Sequence, residues 1–349
     1  MRALQSIDSR LATLLLAAIL IAGTLGIVKP NTFLSPLNIN SMLLQSSVIG
    51  LLSLAVAVTM LTSGIDLSIN ATANLTSIAV AILLSKMVPT GGGNVPLVIA
   101  ALAFVVGLLV GFACGLFNGF LIATLGYSPI LATLGTMTLF IGIGTVLTGG
   151  NTLFGISAFA AVGRGSALGI PLPAIIFLLV ALALSLVLEA RRFGFYVYLY
   201  GANESAARFS GINERRLLLS VYAVSGILSA VAGLINLGVT NSANVDFGSS
   251  YVLLAILISV LGGISPSGGA GRIIGVVLAV LILQFLSTGL NLVFQSSGSN
   301  FLKEFAWGAT LLVVLAIGGR RYSRLGWASK SRGPTNTVKA DSAVGPERR

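Results

Sequence analysis

Charge is what this chain has least of. Only 8% of its 349 residues are Asp, Glu, Lys or Arg, about a third of the share found in ordinary soluble chains. So few charges cannot clothe a water-soluble protein of this length. Histidine is absent and Cys114 is the single cysteine. No intrachain disulfide is possible, and most zinc, haem, iron–sulfur and histidine general-base sites lack their side chains. No G-x-x-x-x-G-K-[ST] phosphate loop occurs, so the chain carries no nucleotide site of its own. No nucleophile–base or metal constellation points to an intramembrane enzyme.

Hydrophobic residues make up 56% of the chain. They fall in runs near 18 residues or more, the length that crosses a hydrocarbon core roughly 30 Å thick. The expected fold is an all-α polytopic membrane protein of about ten spans, near 11–28, 44–62, 65–88, 96–124, 129–148, 171–190, 217–239, 250–265, 270–292 and 301–319. The first run follows Arg2 and Arg10 and is read as an uncleaved span, since no A-x-A cleavage site follows it. Residues 1–319 form the transmembrane domain. Residues 320–349, rich in Ser, Pro, Thr and charge, read as a disordered basic tail.

The formal net charge of +11 invites a nucleic-acid partner, but its placement argues otherwise. Between Asp66 and Arg164 the only charged residue is Lys86, so no basic face exists there. With an N-terminus in the cytoplasm and ten crossings, sixteen Lys and Arg fall inside and four outside, at Lys29, Lys86, Arg164 and Lys303. The positive-inside rule then puts both termini in the cytoplasm. The charge reports topology and calls for lipid, with no nucleic acid needed.

Several features exceed what a membrane anchor requires. Gly107, Gly111, Gly115 and Gly119 repeat every four residues and leave a flat face for a close-packed helix. Asn118 beside them is either interhelical glue or path lining. Gly64 interrupts the third run at Leu61-Thr-Ser-Gly-Ile-Asp-Leu-Ser68, where a carboxylate and several hydroxyls and amides appear. Asp66 suits a helix N-terminus, where free N–H groups favour a carboxylate; contact with a solute is the other reading. Candidate lining for a polar path comes from Thr62, Ser63, Asp66, Asn70, Asn74, Asn118, Thr133, Asn236 and Asn291. All but Asp66 are uncharged, which suits a neutral polyhydroxylated solute held weakly enough to leave.

The long loop 191–216 reads as cytoplasmic. Asn203 caps a short helix, Glu204 suits its dipole, and Gly211 ends it in the left-handed conformation after about two turns. Ala206, Ala207 and Ser210 are expected to cluster on one small-residue face that fits a partner's groove; an ordinary connecting helix is the alternative. The glycine-rich stretch Leu261–Arg272 reads as a tight turn between packed spans.

These residues resemble the ribose/xylose/arabinose-type permease subunits of bacterial ATP-binding-cassette importers, over about residues 30–318. The resemblance is carried by Leu61–Ser68, Asn118-Gly119, Ala132-Thr-Leu-Gly135, Gly194–Asn213, Leu261-Gly-Gly263 and Gly289-Leu-Asn291. It implies an inner-membrane protein of about ten helices, with inverted four-helix halves at spans 2–5 and 7–10. It implies a second permease subunit, identical or related, an extracytoplasmic sugar-binding protein, and a cytoplasmic ATPase that binds the ATP and Mg. It places ATPase coupling on Asn203–Gly211, hence on Asn203, Glu204, Ala206, Ala207, Ser210 and Gly211. One departure stands out: where such permeases carry Tyr-Glu-Leu before the Leu-Gly-Gly turn, this chain has Tyr251-Val-Leu-Leu254. The reading is therefore a permease for a monosaccharide or related polyol, with the ATPase on another chain. An ion-gradient-driven transporter is the alternative, disfavoured because Asp8 and Asp66 are the only carboxylates before Glu189.

Overall fold

Inside hydrocarbon an unpaired N–H or C=O costs several kcal/mol, so a chain of this composition closes its hydrogen bonds within helices. The computed structural model describes residues 2–87, 96–154, 159–293, 305–310 and 312. The tail 320–349, Lys303 and most of the span expected at 301–319 lie outside the described residues. The chain divides into two units, Met1–Trp307 and Gly308–Arg349, and the helical bundle is the first of them.

The helices are α1 (Arg2–Val28), α2 (Pro30–Phe33), α3 (Pro36–Met60), α4 (Ile69–Met87), α5 (Leu97–Ala123), α6 (Pro129–Thr148), α7 (Ala160–Arg164), α8 (Leu172–Ala190), α9 (Arg192–Ala202), α10 (Glu204–Phe209), α11 (Glu214–Thr240), α12 (Tyr251–Leu261) and α13 (Ile273–Val293). Prolines stand in the first turn of α2, α3, α6 and α8, where a missing N–H breaks no helical bond. Among the described residues eight helices are long and apolar enough to cross a membrane, and α12 is a shorter apolar one. The chain is thus an all-α polytopic membrane protein. Two small antiparallel ladders join β1 (Leu153–Phe154) to β4 (Ser242–Ala243) and β2 (Ser166–Ala167) to β3 (Ile170–Pro171).

Two expected boundaries move for a physical reason. α3 starts at Pro36, eight residues before the apolar run, because the Ser35 hydroxyl accepts the Asn38 N–H at 3.2 Å and caps the helix through a polar stretch. α4 starts only at Ile69, since Leu61–Ser68 is not helical. The span expected at 250–265 is helical for the eleven residues of α12 alone. A non-helical stretch of bends and turns, residues 241–250, leads into it.

α3 is the central helix, with every residue from Ser46 to Met60 buried. α5 and α11 cross in backbone contact, as the glycine stripe leads one to expect. A Cβ on Gly111 would stand 2.4 Å from both Ala230 Cβ and Gly226 O, one on Gly115 2.2 Å from Tyr222 O, and one on Gly226 2.1 Å from Gly111 O. No side chain fits there, so the two helices are locked at a fixed crossing.

Gly226→Ala is therefore expected to lower stability in detergent by about 2 kcal/mol or more, because backbone must separate to admit one methyl group. Gly142→Ala on α6 meets nothing within 4 Å and should leave stability unchanged or raise it by up to about 1 kcal/mol. Thermal unfolding of the purified chain compares the two.

Candidate functional site: two re-entrant segments and an exposed helix

The first non-helical segment begins at the end of the molecule that carries the arginines of 191–216. Ser63, in a left-handed conformation at φ 61°, ends α3; its hydroxyl donates to Ser267 O at 2.8 Å and lies 3.3 Å from Gly201 O. From there the chain turns inward. Thr133 Oγ1 on α6 accepts the Leu67 N–H at 3.1 Å and stands 3.1 Å from Ile65 O and 2.8 Å from Pro129 O. Asp66, 2% exposed, accepts three hydrogen bonds: from Ser68 N at 2.9 Å, Ser68 Oγ at 2.7 Å and Ser225 Oγ at 2.8 Å. Asn118 Nδ2 donates to Ser68 Oγ at 2.7 Å. At 1.5 Å per helical residue, Asn118 lies about 8 Å from the end of α5 and Ser225 about 17 Å from the start of α11. α4 therefore begins inside the bundle.

The second segment enters from the opposite end. β4 pairs with β1 beyond α6 and α11, and the chain then runs back along α4. Val245 O accepts from Asn74 Nδ2 at 2.9 Å, and Phe247 O accepts from Asn70 Nδ2 at 2.8 Å and from Asn74 Nδ2 at 2.9 Å. Because Asn70 precedes Asn74, each step from Val245 to Phe247 moves deeper, toward the buried start of α4. α12 begins only after this descent. Two non-helical segments thus approach each other from opposite ends, each followed by a helix that starts inside, an arrangement that recurs where transporters hold solutes.

The candidate path residues divide accordingly. Asp66, Asn118 and Thr133 meet around the first segment, whereas Asn70 and Asn74 hold the second. Thr62 is buried and bonds its own helix at Thr59 O, and Ser63 sits at the arginine-rich end. Asn236 is buried on α11, while Asn291 on α13 is half-buried with Oδ1 enclosed and unpartnered among the described residues. Thr62, Ser63, Asn70, Asn74 and Thr133 donate to the protein's own backbone. The three hydrogen bonds to Asp66 give it a structural role, while Asn118 Oδ1 is enclosed without a partner among the described residues.

Sequence reasoning named Thr133 and Ala132–Gly135 on α6 but passed over its exposed face. Gly135, Thr138, Gly142, Thr145 and Gly149 are exposed, spaced three and four apart along one face. The two threonine hydroxyls donate to Leu134 O and Ile141 O within the helix, so their oxygens stay open as acceptors. The alternating Gly and Thr was the legible signal.

At the arginine-rich end, α10 is capped twice. Asn203 Oδ1 accepts the Ala206 N–H at 2.9 Å. Gly211, at φ 79°, closes the other end, with its N–H on Arg208 O and that of Ile212 on Ala207 O, the paired bonds of a Schellman turn. Arg208 ties the helix to the start of α11, at 2.6 Å from Glu204 and 2.7 Å from Glu214. Tyr200 Oη donates to Glu214 at 2.7 Å; burial and then this bond hold its phenol above the ordinary value. The expected small-residue face needs correction. Ala206 and Ser210 are exposed but Ala207 is fully buried, because successive helical residues are turned by about 100°. The outward feature is Phe209, 93% exposed, which small-residue spacing could not reveal.

The Asp66 contacts set a stability prediction. Asp66→Ala strands one N–H and two hydroxyls and should cost about 3 kcal/mol, whereas Ser225→Ala removes one donor and should cost about 1 kcal/mol. Melting temperatures of the purified variants measure both.

Comparison with known proteins fits this architecture. Residues 38–315 match the family described as "Branched-chain amino acid transport system / permease component". The ribose import permease protein RbsC of Bacillus subtilis is 39% identical over 294 residues, covering 83% of this chain and 87% of that protein. The Escherichia coli K12 protein of the same name is 36% identical over 308 residues, 87% of this chain and 91% of that one. The autoinducer 2 import system permease protein LsrD of Salmonella typhimurium is 34% identical over 332 residues, 91% and 95% of the two chains. No solved structure matches the chain. With a match over most of its length and helices that cross a membrane many times, the chain belongs to this family of transport-system permease components.

Proposed function

We propose that the chain is the permease subunit of an ATP-binding-cassette importer in a bacterial inner membrane, carrying a monosaccharide or related polyol. The observation that carries this reading is mechanical. α10 stands exposed at the arginine-rich end, and α9 joins it directly to the first re-entrant segment. Gly201, at the end of α9, lies against Leu61 O, where an added Cβ would come within 1.9 Å. Gly269 N–H donates to the same Leu61 O at 3.0 Å, and Tyr198 Oη donates to Gly271 O at 2.9 Å. A partner that moves α10 therefore moves Leu61–Ser63, and with them the segment that leads into α4.

An ATPase on a separate chain, binding ATP and Mg, supplies that motion from the cytoplasm. The groove it offers takes Phe209 as its anchor, with Ala206, Ser210 and Glu204 around it; the exposed Arg191, Arg192, Arg215 and Arg216 favour an acidic rim. A second permease subunit faces this one across the path, and the open Gly and Thr stripe of α6 is the surface turned toward it. An extracytoplasmic binding protein delivers the solute. The relatives named for ribose and autoinducer 2 support the sugar-like class, and so does chemistry: hydroxyl and amide groups hold a neutral polyol better than a zwitterion, which needs paired charges.

Phe209→Asp tests the docking. It should cut ATPase co-purification and ATP-driven uptake by about thirtyfold or more, the loss expected of a buried aromatic anchor of about 2 kcal/mol or above, while melting temperature holds. Unchanged association and uptake would remove α10 from the interface. Uptake by the chain alone, driven by a proton or sodium gradient without ATP, would overturn the whole reading.

A further inference from the structure

Four of the described carboxylates have a structural account. Asp66 takes three hydrogen bonds, Glu204 and Glu214 pair with Arg208, and Glu189 meets Ser185 Oγ at 3.3 Å. Asp246 has none: it is exposed and makes no hydrogen bond or ion pair among the described residues. Its position is nevertheless fixed. The carbonyls of its two neighbours, Val245 and Phe247, are both held by amides of α4, and Val245 packs against Gly144 of α6. Asp246 thus sits on the descending stretch of the second re-entrant segment. An unpaired carboxylate there has to be met by water or by a solute.

Two amide oxygens of the same segment, Asn241 Oδ1 and Asn244 Oδ1, are enclosed without a hydrogen bond among the described residues. Arg164 stands at the same end with its Nε on Val239 O at 3.4 Å and makes no ion pair with Asp246 among the described residues. Acceptors in excess suit a ligand rich in hydroxyl donors. The position where resembling permeases carry Glu is here Val252, which is buried; the carboxylate of this stretch is Asp246, six residues upstream.

We propose that Asp246 is a specificity-determining residue of the translocation path, its carboxylate accepting hydrogen bonds from hydroxyl groups of the passing polyol. This rests on the permease reading above. A carboxylate acceptor discriminates strongly between a hydroxyl and its absence, because hydrogen bonds to charged groups are the stronger ones. Asp246→Asn keeps the shape and one acceptor oxygen but removes the charge; Asp246→Glu keeps the charge and displaces it.

The test uses the assembled importer in proteoliposomes, with one binding protein throughout, and measures ATP-driven uptake of ribose and of its singly deoxygenated analogues. The ratio of ribose to each analogue is compared between wild type and variant, so the binding protein's own preference cancels. For at least one analogue, Asp246→Asn should lower that ratio fivefold or more, Asp246→Glu should restore part of it, and the melting temperature of both should match wild type. Ratios within twofold of wild type for every analogue overturn the assignment. So does a drop in melting temperature with unchanged ratios, which makes Asp246 structural. Wild-type complex in which ATP drives uptake of no monosaccharide or polyol sinks the proposed function, and this assignment with it.

Discussion

The structure depends on one requirement: backbone that leaves helical geometry inside hydrocarbon must find its hydrogen bonds from side chains. Leu61–Ser68 and residues 241–250 are the places where this chain departs from helix within the bundle, and its polar residues gather around them. Thr133 serves Ile65 and Leu67, Asn70 and Asn74 serve Val245 and Phe247, and Ser225 with Asn118 closes the circuit at Asp66 and Ser68. The hydroxyls and amides within the spans are scaffold first. What that scaffold leaves open is chiefly the α6 stripe and Asp246.

Elements with clear punctuation were legible from the residues. α6 runs from Pro129 to Thr148 as expected, because proline fixes its first turn and Gly149 leaves it left-handed. The caps of α10 at Asn203 and Gly211 were equally plain, since each is a local bond. The start of α4 was not legible: Ile65 and Leu67 are as apolar as helix residues, and their partner Thr133, like Ser225 on Asp66 and Asn118 on Ser68, is distant in sequence. For the same reason Asp66 could be read as a solute contact or as a fixture. A single sequence gives the donors and acceptors but not which of them meet.

The arginine-rich end shows how little slack the chain allows. Gly201, Gly268 and Gly269 admit backbone against backbone, with Leu61, Ser63 and Ala202 on the other side. Contacts between main chains leave no side chain to change rotamer, so α9, the glycine-rich turn and Leu61 pack as one joint. The glycine-rich turn at Leu261–Arg272, expected as a tight connection, is that connection and also one wall of the joint. Arg208, held by carboxylates from both α10 and α11, keeps the short helix from swinging independently of the long one.

α3 raises a matter of chain order. In the finished fold it is enclosed from Ser46 to Met60, yet α8, α11, α12 and α13, which surround much of it, lie more than a hundred residues later in the chain. Its composition makes no demand on those later helices. Ser46, Ser47, Ser53 and Thr59 each donate to a carbonyl three or four residues back in the same helix, so between Ser46 and Met60 no hydroxyl needs a partner from another helix. The innermost helix is satisfied within itself, and what the later helices add to it is packing.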